Sequence, residues 1–459
     1  MSLSDFKPLI ALLSAILVTA CGGGHGSSAP PPVGGLVLEP GEGGVTITWT
    51  AVPGVDYWAY TGQSTTICKN CGNSSDNWNS LLGAQSRGWA TPVSTPYFFT
   101  GNTISTSLNN DVDYAFIMDG RINGGPGGEA TPSASTRPRL NGANWFNGGT
   151  FSNSGITGLA FGPKLNTATN SYDLTGTYLA LGSGGSRYQS PNGLTWTRIT
   201  TENTTNWKSA TYAFAGMNNQ KFVGVGAAGA LIYSTDLATF TSSTSGSYDL
   251  NAVASNTNTV VAVGNHGTIL RSTDGVSWSA AASVPITTDL YAVTYATVAG
   301  GGVWVAVGAQ GKMLYSADAS SWTLVDLGIS QDLKGVASLV NATYPNRVYS
   351  PLVTPTYSYS VVAVGNAGVV TQSSLVLSDW TTQTLGSGVN LNAIVASSAM
   401  IPTNQFMIVG DAGKAFTSPD GLTWTPRTTT SSQNLTGLIR GYHNQYLAWA
   451  ANGTTTYSK

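Results

Sequence analysis

Residues 251–278 read NAVASNTNTVVAVGNHGTILRSTDGVSW, and the organisation of most of the chain follows from this stretch. A short apolar run leads through a turn to the run 260–263, VVAV, and then to a Gly-x-x-Gly turn at Gly264 and Gly267. A third run ends in Ser-x-Asp-Gly-x-x-Trp, from Ser272 through Asp274 to Trp278. Short runs rich in Val, Ala, Ile and Leu between Gly, Asn and Asp turns predict antiparallel strands. The run 260–263 is apolar at every position, the pattern of a strand buried on both faces.

The unit recurs from about residue 156 to the end of the chain. Its second turn repeats as Val225-Gly226-x-x-Gly229, Val307-Gly308-x-x-Gly311, Val364-Gly365-x-x-Gly368 and Val409-Gly410-x-x-Gly413, with Leu181-Gly182-x-x-Gly185 opening the series. Glycines at both ends are expected to supply positive φ in a tight hairpin. A phosphate loop would need a following helix and Lys-Ser/Thr, which the sequence does not offer. The third turn repeats as Ser190-x-Asn192-Gly193-x-x-Trp196, Ser234-x-Asp236 with Phe240, Ser316-x-Asp318 with Trp322, and Ser418-x-Asp420-Gly421-x-x-Trp424. A degenerate copy ends at Trp380. Ser and Asp side chains in such turns bond backbone N–H groups, and the Trp supplies packing area.

The third turns start at 190, 234, 272, 316, 374 and 418. A period near 40–50 residues with about four strands per unit predicts a propeller. The last unit is cut in two. The C-terminal residues supply three strands and stop at Ser458, where the turn should begin, while Asn141-Gly142-Ala143-Asn144-Trp145 carries the missing half. A strand from before the first repeat should therefore complete the seventh blade, removing an open sheet edge at the seam.

The Ser-x-Asp-Gly-x-x-Trp spacing resembles the Asp-box, or BNR repeat, and that resemblance implies a structural Asp, not a catalytic one. Together with Val-Gly-x-x-Gly it is similar, over roughly 300 residues, to the propellers of photosystem II assembly factors and their non-photosynthetic bacterial relatives. That likeness implies a binding scaffold. Asp-boxes also recur in sialidases, so a glycoside hydrolase is the alternative expectation. Such chemistry commonly needs an acid and a second carboxylate or Tyr. The only Glu beyond residue 130 is Glu202, the arginines are scattered, and no Arg-Ile-Pro opens the repeats.

Working outward, the chain of 459 residues has 9% charged residues and a formal net charge of −2. About 25% is usual. Nothing in this balance points to nucleic acid, and a polar, weakly charged chain suits an exported protein. Lys7, the apolar run 9–18 and the small residues leading to position 20 predict a signal peptide over 1–20, too short to span a bilayer. Val18-Thr19-Ala20-Cys21 resembles the lipobox of bacterial lipoproteins, which implies a lipidated Cys21 and attachment to a membrane. In the lipoprotein sorting pattern, Gly22 after that Cys leans toward the outer membrane. Residues 21–35 read as a Gly/Ser/Pro tether.

Residues 36–138 alternate like half-buried strands at 45–49, 56–62 and 114–118, and about 100 residues of this kind predict a β-sandwich. Trp49, Leu108, Tyr114 and the late glycines resemble fibronectin type III, with an insertion at roughly 63–92. That insertion carries Cys68 and Cys71, for which a loop disulfide is the plain expectation in an oxidising compartment. A redox pair, free thiols or a weak metal site are the other readings. The fold class expected is thus all-β: a fibronectin type III-like β-sandwich, then a seven-bladed β-propeller over 139–459 closed by an N-terminal strand.

The propeller face bearing the second-to-third-strand turns offers Asn265, His266, Gln310 and Asp411. Asp249, Asp289 and Asp332 open their blades on the same side. They either bond turn backbone or hold a ligand or cation. A long insertion at 340–358 carries Tyr344 and Tyr349, followed by Tyr357 and Tyr359, a candidate docking loop. No cofactor, catalytic residue or metal ligand set is assigned. The partner expected is an unidentified protein or glycan of the cell envelope.

Overall fold

The computed structural model describes residues 33–41, 44–50, 52–62, 88–89, 97–99, 113–122, 129–137, 142–151, 155–173, 176–199, 204–214, 219–298, 301–343, 356–374, 379–397, 405–441 and 445–458. Cys21, Cys68, Cys71, Asn141, Tyr344 and Tyr349 lie outside these, as do the leader and most of the tether. The chain divides between Arg139 and Leu140 into two compact units.

The first unit is a β-sandwich. One sheet orders Val33–Gly41, Gly44–Thr50 and Tyr97–Phe99; the other orders Gly88–Trp89, Asp56–Gly62, Tyr114–Arg121 and Ala134–Thr136. The inward residues Val45, Ile47 and Trp49 meet Tyr57, Ala59, Phe116 and Met118 in one core. The first strand starts at Val33, so the tether read as 21–35 ends earlier than expected.

The second unit is a seven-bladed β-propeller of four-stranded antiparallel sheets. Blade 3 shows the pattern, with strands Leu250–Ser255, Val260–Gly264, Ile269–Ser272 and Ser279–Ala280 in spatial order. Blades 1 and 2 span 156–198 and 207–244, and blades 4 to 6 span 290–325, 333–384 and 391–428. Blade 7 takes Leu435–Arg440, Tyr446–Ala450 and Thr454–Ser458, then Trp145–Thr150 from the other end of the unit.

The apolar runs of the second strands have a direct physical cause. Val260 and Ala262 pack with Val223 and Leu231 of blade 2. Val261 and Val263, pointing the other way, pack with Ala306 and Leu314 of blade 4. Alternate side chains of one strand thus feed two cores, and there are seven such cores, one per seam. The seam between blades 7 and 1 is closed like the others, by Leu447 and Trp449 against Ile156, Tyr178 and Tyr188.

The Asp-box turns join third and fourth strands on one face of the ring. In blade 3, Asp274 Oδ1 accepts from the backbone N–H groups of Val276 (2.8 Å) and Ser277 (2.7 Å) and from Ser272 Oγ (2.9 Å). Ser272 Oγ accepts in turn from Gly275 N–H at 2.8 Å. Asp236, Asp318 and Asp420 hold the same pairs of N–H groups, and Asn192 does so without a charge. Each box aromatic enters the core shared with the preceding blade: Trp278 joins blade 2, Trp322 blade 3, Trp424 blade 5 and Trp196 blade 7. Trp196, Trp322 and Trp424 anchor their indole N–H on the turn carbonyl three residues back. The box Trp therefore joins two blades, rather than only capping the edge of its own.

Three expectations are corrected. The degenerate box starts at Ser373, the last residue of its strand, not at 374, and its carboxylate is Asp379, which accepts from both Ser373 and Ser374 hydroxyls. Gly264 has an extended φ of −161° instead of a positive one. It is glycine because a Cβ would fall on the Asp249 carbonyl oxygen, whereas Gly267, at φ +66°, does need the left-handed region. Tyr357 and Tyr359 are not in a loop. They lie on the strand Thr356–Gly365, opposite Ala342 and Val340, with Tyr357 half exposed.

The divided box reproduces the geometry of an intact one. Gly142 N–H donates to Ser458 Oγ at 2.6 Å across 316 residues of sequence, as Gly275 does to Ser272. Trp145 donates its indole N–H to Gly142 O at 3.0 Å and is buried in the blade 6–7 core. Trp145→Ala should therefore destabilise the chain by about 3–5 kcal/mol and Ser458→Ala by about 1 kcal/mol, read from denaturant midpoints. A Trp145→Ala chain as stable as the parent would contradict the shared blade.

Burial alone would raise the Asp274 carboxyl, but the Val276, Ser277 and Ser272 donors outweigh it and hold the group at about 2, below the ordinary 3.8. A folded pKa below the unfolded one gives stability that is complete above about pH 4 and is lost as pH falls toward 2. Asp274→Ala should cost about 2 kcal/mol and Asp274→Asn, which copies the uncharged Asn192 box, about half that, since charge-assisted bonds are roughly twice as strong. Melting curves from pH 5 down to 2 should be less steep in pH for Asp274→Asn than for the parent. Equal slopes would contradict the assignment.

Candidate binding face

The opposite face carries the second-to-third-strand turns. In blades 1 to 6 each is a single 3-10 turn whose middle residue is left-handed: Gly184, Ala228, His266, Gln310, Ala367 and Ala412, with φ between 52° and 61°. That conformation turns its N–H outward, where the residue opening the next blade takes it. Ala228 donates to Asp249 Oδ1 (2.8 Å), His266 to Asp289 Oδ1 (2.9 Å) and Gln310 to Asp332 Oδ1 (3.0 Å). Gly184, Ala367 and Ala412 donate likewise to Asn206, Asn390 and Asn434. The carbonyl of the same opening residue accepts from the turn of its own blade, as Asp249 O does from Asn265 N–H at 2.9 Å. One residue thus links two neighbouring blades. At the blade 7–1 seam the link among the described residues runs between backbones, Gly155 N–H to Ala451 O at 2.9 Å.

The second carboxylate oxygens build a polar ring next to these links. Asp249 Oδ2 pairs with Lys208 at 2.8 Å, and Lys208 also reaches Asn251 Oδ1 at 2.9 Å. Asn251 in turn donates to Asn265 Oδ1 and to Leu290 O in blade 4. Asp332 pairs with Lys334 at 3.1 Å, whose ammonium sits 3.7 Å from the Tyr291 ring centroid. Asp411 accepts from Asn390 and Asn392 amides, both at 2.9 Å. Among the described residues, the Asp289 carboxylate is bonded only by His266 N–H. His266 stacks on Tyr248, ring centroids 4.4 Å apart at 21°, and Tyr248 is 48% exposed.

Two carboxyls of the face, Asp249 and Asp332, are displaced downward. The Lys208 ammonium and Ala228 N–H hold Asp249 below its ordinary range. At Asp332 burial works the other way but is outweighed by Gln310 N–H and Lys334. Burial, then the Asp332 and Asp289 charges, push the Tyr291 hydroxyl up. Every carboxyl with a displaced pKa among the described residues is displaced downward. An acid catalyst for glycoside cleavage needs the opposite shift. The described propeller arginines are spread over four blades: Arg187 and Arg198 belong to blade 1, Arg271 to blade 3, Arg427 to blade 6 and Arg440 to blade 7. Arg187 is buried in the blade 1–2 seam, with its guanidinium carbon 4.7 Å from the Phe240 centroid. No group of three metal-ligating side chains occurs among the described residues.

A separate polar cavity of about 490 Å³ lies between the blade 1 hairpin, including Lys164, Asn166 and Tyr172, and Asp236 of the blade 2 box. The hairpin is pinned there by Leu165 N–H on Thr235 O and by Tyr172 Oη on Gln220 O.

Several residues of the face escaped the sequence reading. Asn206 opens blade 2, but Trp207 follows it where five other blades have Leu. Lys208, Asn251, Tyr291 and Lys334 each sit two positions after the opening residue. That shared offset was the available signal. Tyr248 gave none, since its meeting with His266 depends on the hairpin pairing of Leu250 with Gly264.

No protein-family model matches the chain. No curated protein matches it either. Among solved structures, it is similar to virginiamycin B lyase from Staphylococcus aureus, with a TM-score of 0.51, 8% identity, and coverage of 69% of this chain and 99% of that one. YCF48 from Cyanidioschyzon merolae aligns with a TM-score of 0.48 at 13% identity, covering 69% and 98%. A chain of a Mitotic Checkpoint Complex crystal structure aligns at 0.49 and 10% identity, covering 70% and 96%. At 8% identity, the likeness to the lyase concerns the fold alone, and the fold is a β-propeller.

Proposed function

We propose that the chain is a lipid-anchored binding protein of the cell envelope, held through Cys21 to the outer membrane, with a fibronectin type III-like domain followed by the propeller. It acts by presenting one rigid face of the propeller to a protein or glycan. One observation carries this reading: the acidic groups that recur around the ring are engaged by backbone N–H groups or by Lys and Asn side chains. Of these, Asp249 and Asp332 are held below the ordinary carboxyl range, which supports recognition better than proton donation. The alternative, a carbohydrate-active enzyme, would have to use Asp289 and Asp411 of the same face.

Two measurements test the proposal. Incubated with a panel of chromogenic glycosides, the full-length chain should release no more chromophore than its Asp289→Asn/Asp411→Asn variant. Turnover that the double substitution abolishes would make it an enzyme. In bacterial cells supplied with labelled palmitate, the parent should take up label and Cys21→Ser should not; equal labelling of both would refute the anchor.

A further inference from the structure

The repeats serve as an alignment of the chain with itself. A structural position tends to hold the same residue type in every blade, so departures that meet in space point to something other than the fold. The position before the opening residue reads Thr205, Tyr248, Thr288, Gln331, Val389 and Gln433 in blades 2 to 7. The left-handed turn position reads Gly184, Ala228, His266, Gln310, Ala367 and Ala412 in blades 1 to 6. An aromatic ring occurs once in each series. Both fall in blade 3, and the two rings lie against each other.

Neither ring is explained by burial. Tyr248 is about half exposed, and the backbone links hold with Gly or Ala in place of His266. The pair is nevertheless fixed at both ends: Asp249, next to Tyr248, bonds Ala228, and His266 N–H bonds Asp289. The polar groups beside it are incompletely used. Asp289 has one carboxylate oxygen without a partner among the described residues, and Asn265 accepts through Oδ1 while its amide N–H groups bond nothing there.

We propose that the Tyr248–His266 stack is the platform of a glycan-binding site, resting on the reading that this face binds a partner. The C–H face of a sugar ring packs on the negatively polarised ring face. Its hydroxyls donate to the open Asp289 oxygen and accept from the Asn265 amide. An apolar protein anchor is the poorer fit, because it would bury those polar groups unsatisfied.

The test uses an array of immobilised bacterial and host glycans, probed with the full-length chain and with Tyr248→Ala, Tyr248→Phe and Tyr357→Ala variants. Circular dichroism establishes that each is folded. The parent should bind at least one glycan. Tyr248→Ala should weaken that binding about tenfold or more, a change of about 1.4 kcal/mol. Tyr248→Phe, which keeps the stack, and Tyr357→Ala, on the long strand of blade 5, should bind as the parent does. Binding unaffected by Tyr248→Ala would overturn the platform while leaving the wider binding reading intact. No binding to any glycan would overturn the assignment of ligand class, and only the glycoside assay above decides between binding and catalysis.

Discussion

The propeller depends on one packing constraint: successive side chains of each second strand belong to different hydrophobic cores. Val260 and Ala262 face one neighbour, Val261 and Val263 the other, and all four are fully buried. A charge at any of them would be desolvated between two sheets, which is costly without a partner. The ring leaves no blade with a free face, so the inner run of each second strand is apolar. The Gly-x-x-Gly turn, the Asp-box and the box Trp all serve to hold neighbouring sheets at the spacing these cores need.

Polar links fix each seam on both faces. On one face the box Trp wedges toward the preceding blade while its Asp or Asn ties the turn. On the other, a single Asp or Asn caps the preceding blade through its side chain and its own blade through its carbonyl. With so much of the acidic inventory bound to backbone, the face has a rigid frame on which a few side chains vary. Lys208, Tyr248, His266, Tyr291, Gln310 and Lys334 are concentrated in blades 2 to 5. The corresponding positions toward blades 6 and 1 hold Asn392, Ala412, Thr436, Thr157 and Gly184. A partner meeting this face would meet two chemically different halves.

What the sequence disclosed followed from whether a feature is local. Strand type, the propeller class and the strand completing blade 7 were legible, because apolar runs and turn residues recur at a fixed spacing and the last unit is visibly short. The positive φ expected at Gly264 was wrong, since the reason for glycine there is the approach of the Asp249 carbonyl from fifteen positions earlier in the chain. Tyr357 and Tyr359 read as loop because the strand pairing runs furthest beyond the repeat in blade 5. Asn206 was hidden by Trp207, and the Tyr248–His266 stack by its dependence on a bulged hairpin register. The candidate face was legible as a set of turns, but not which of its side chains are still free to bind.

The central claim is that residues from both ends of the second unit share one sheet. Tyr457 lies opposite Phe146 across that sheet, with ring centroids 5.5 Å apart. The most direct measurement is to replace both by Cys and map the cross-links by mass spectrometry after mild oxidation of the folded chain, since a disulfide requires Cβ atoms about 4 Å apart. A monomer containing a 146–457 disulfide is the expected result. Free thiols at both positions, or cross-links only between molecules, would mean that the ring is not closed by this strand.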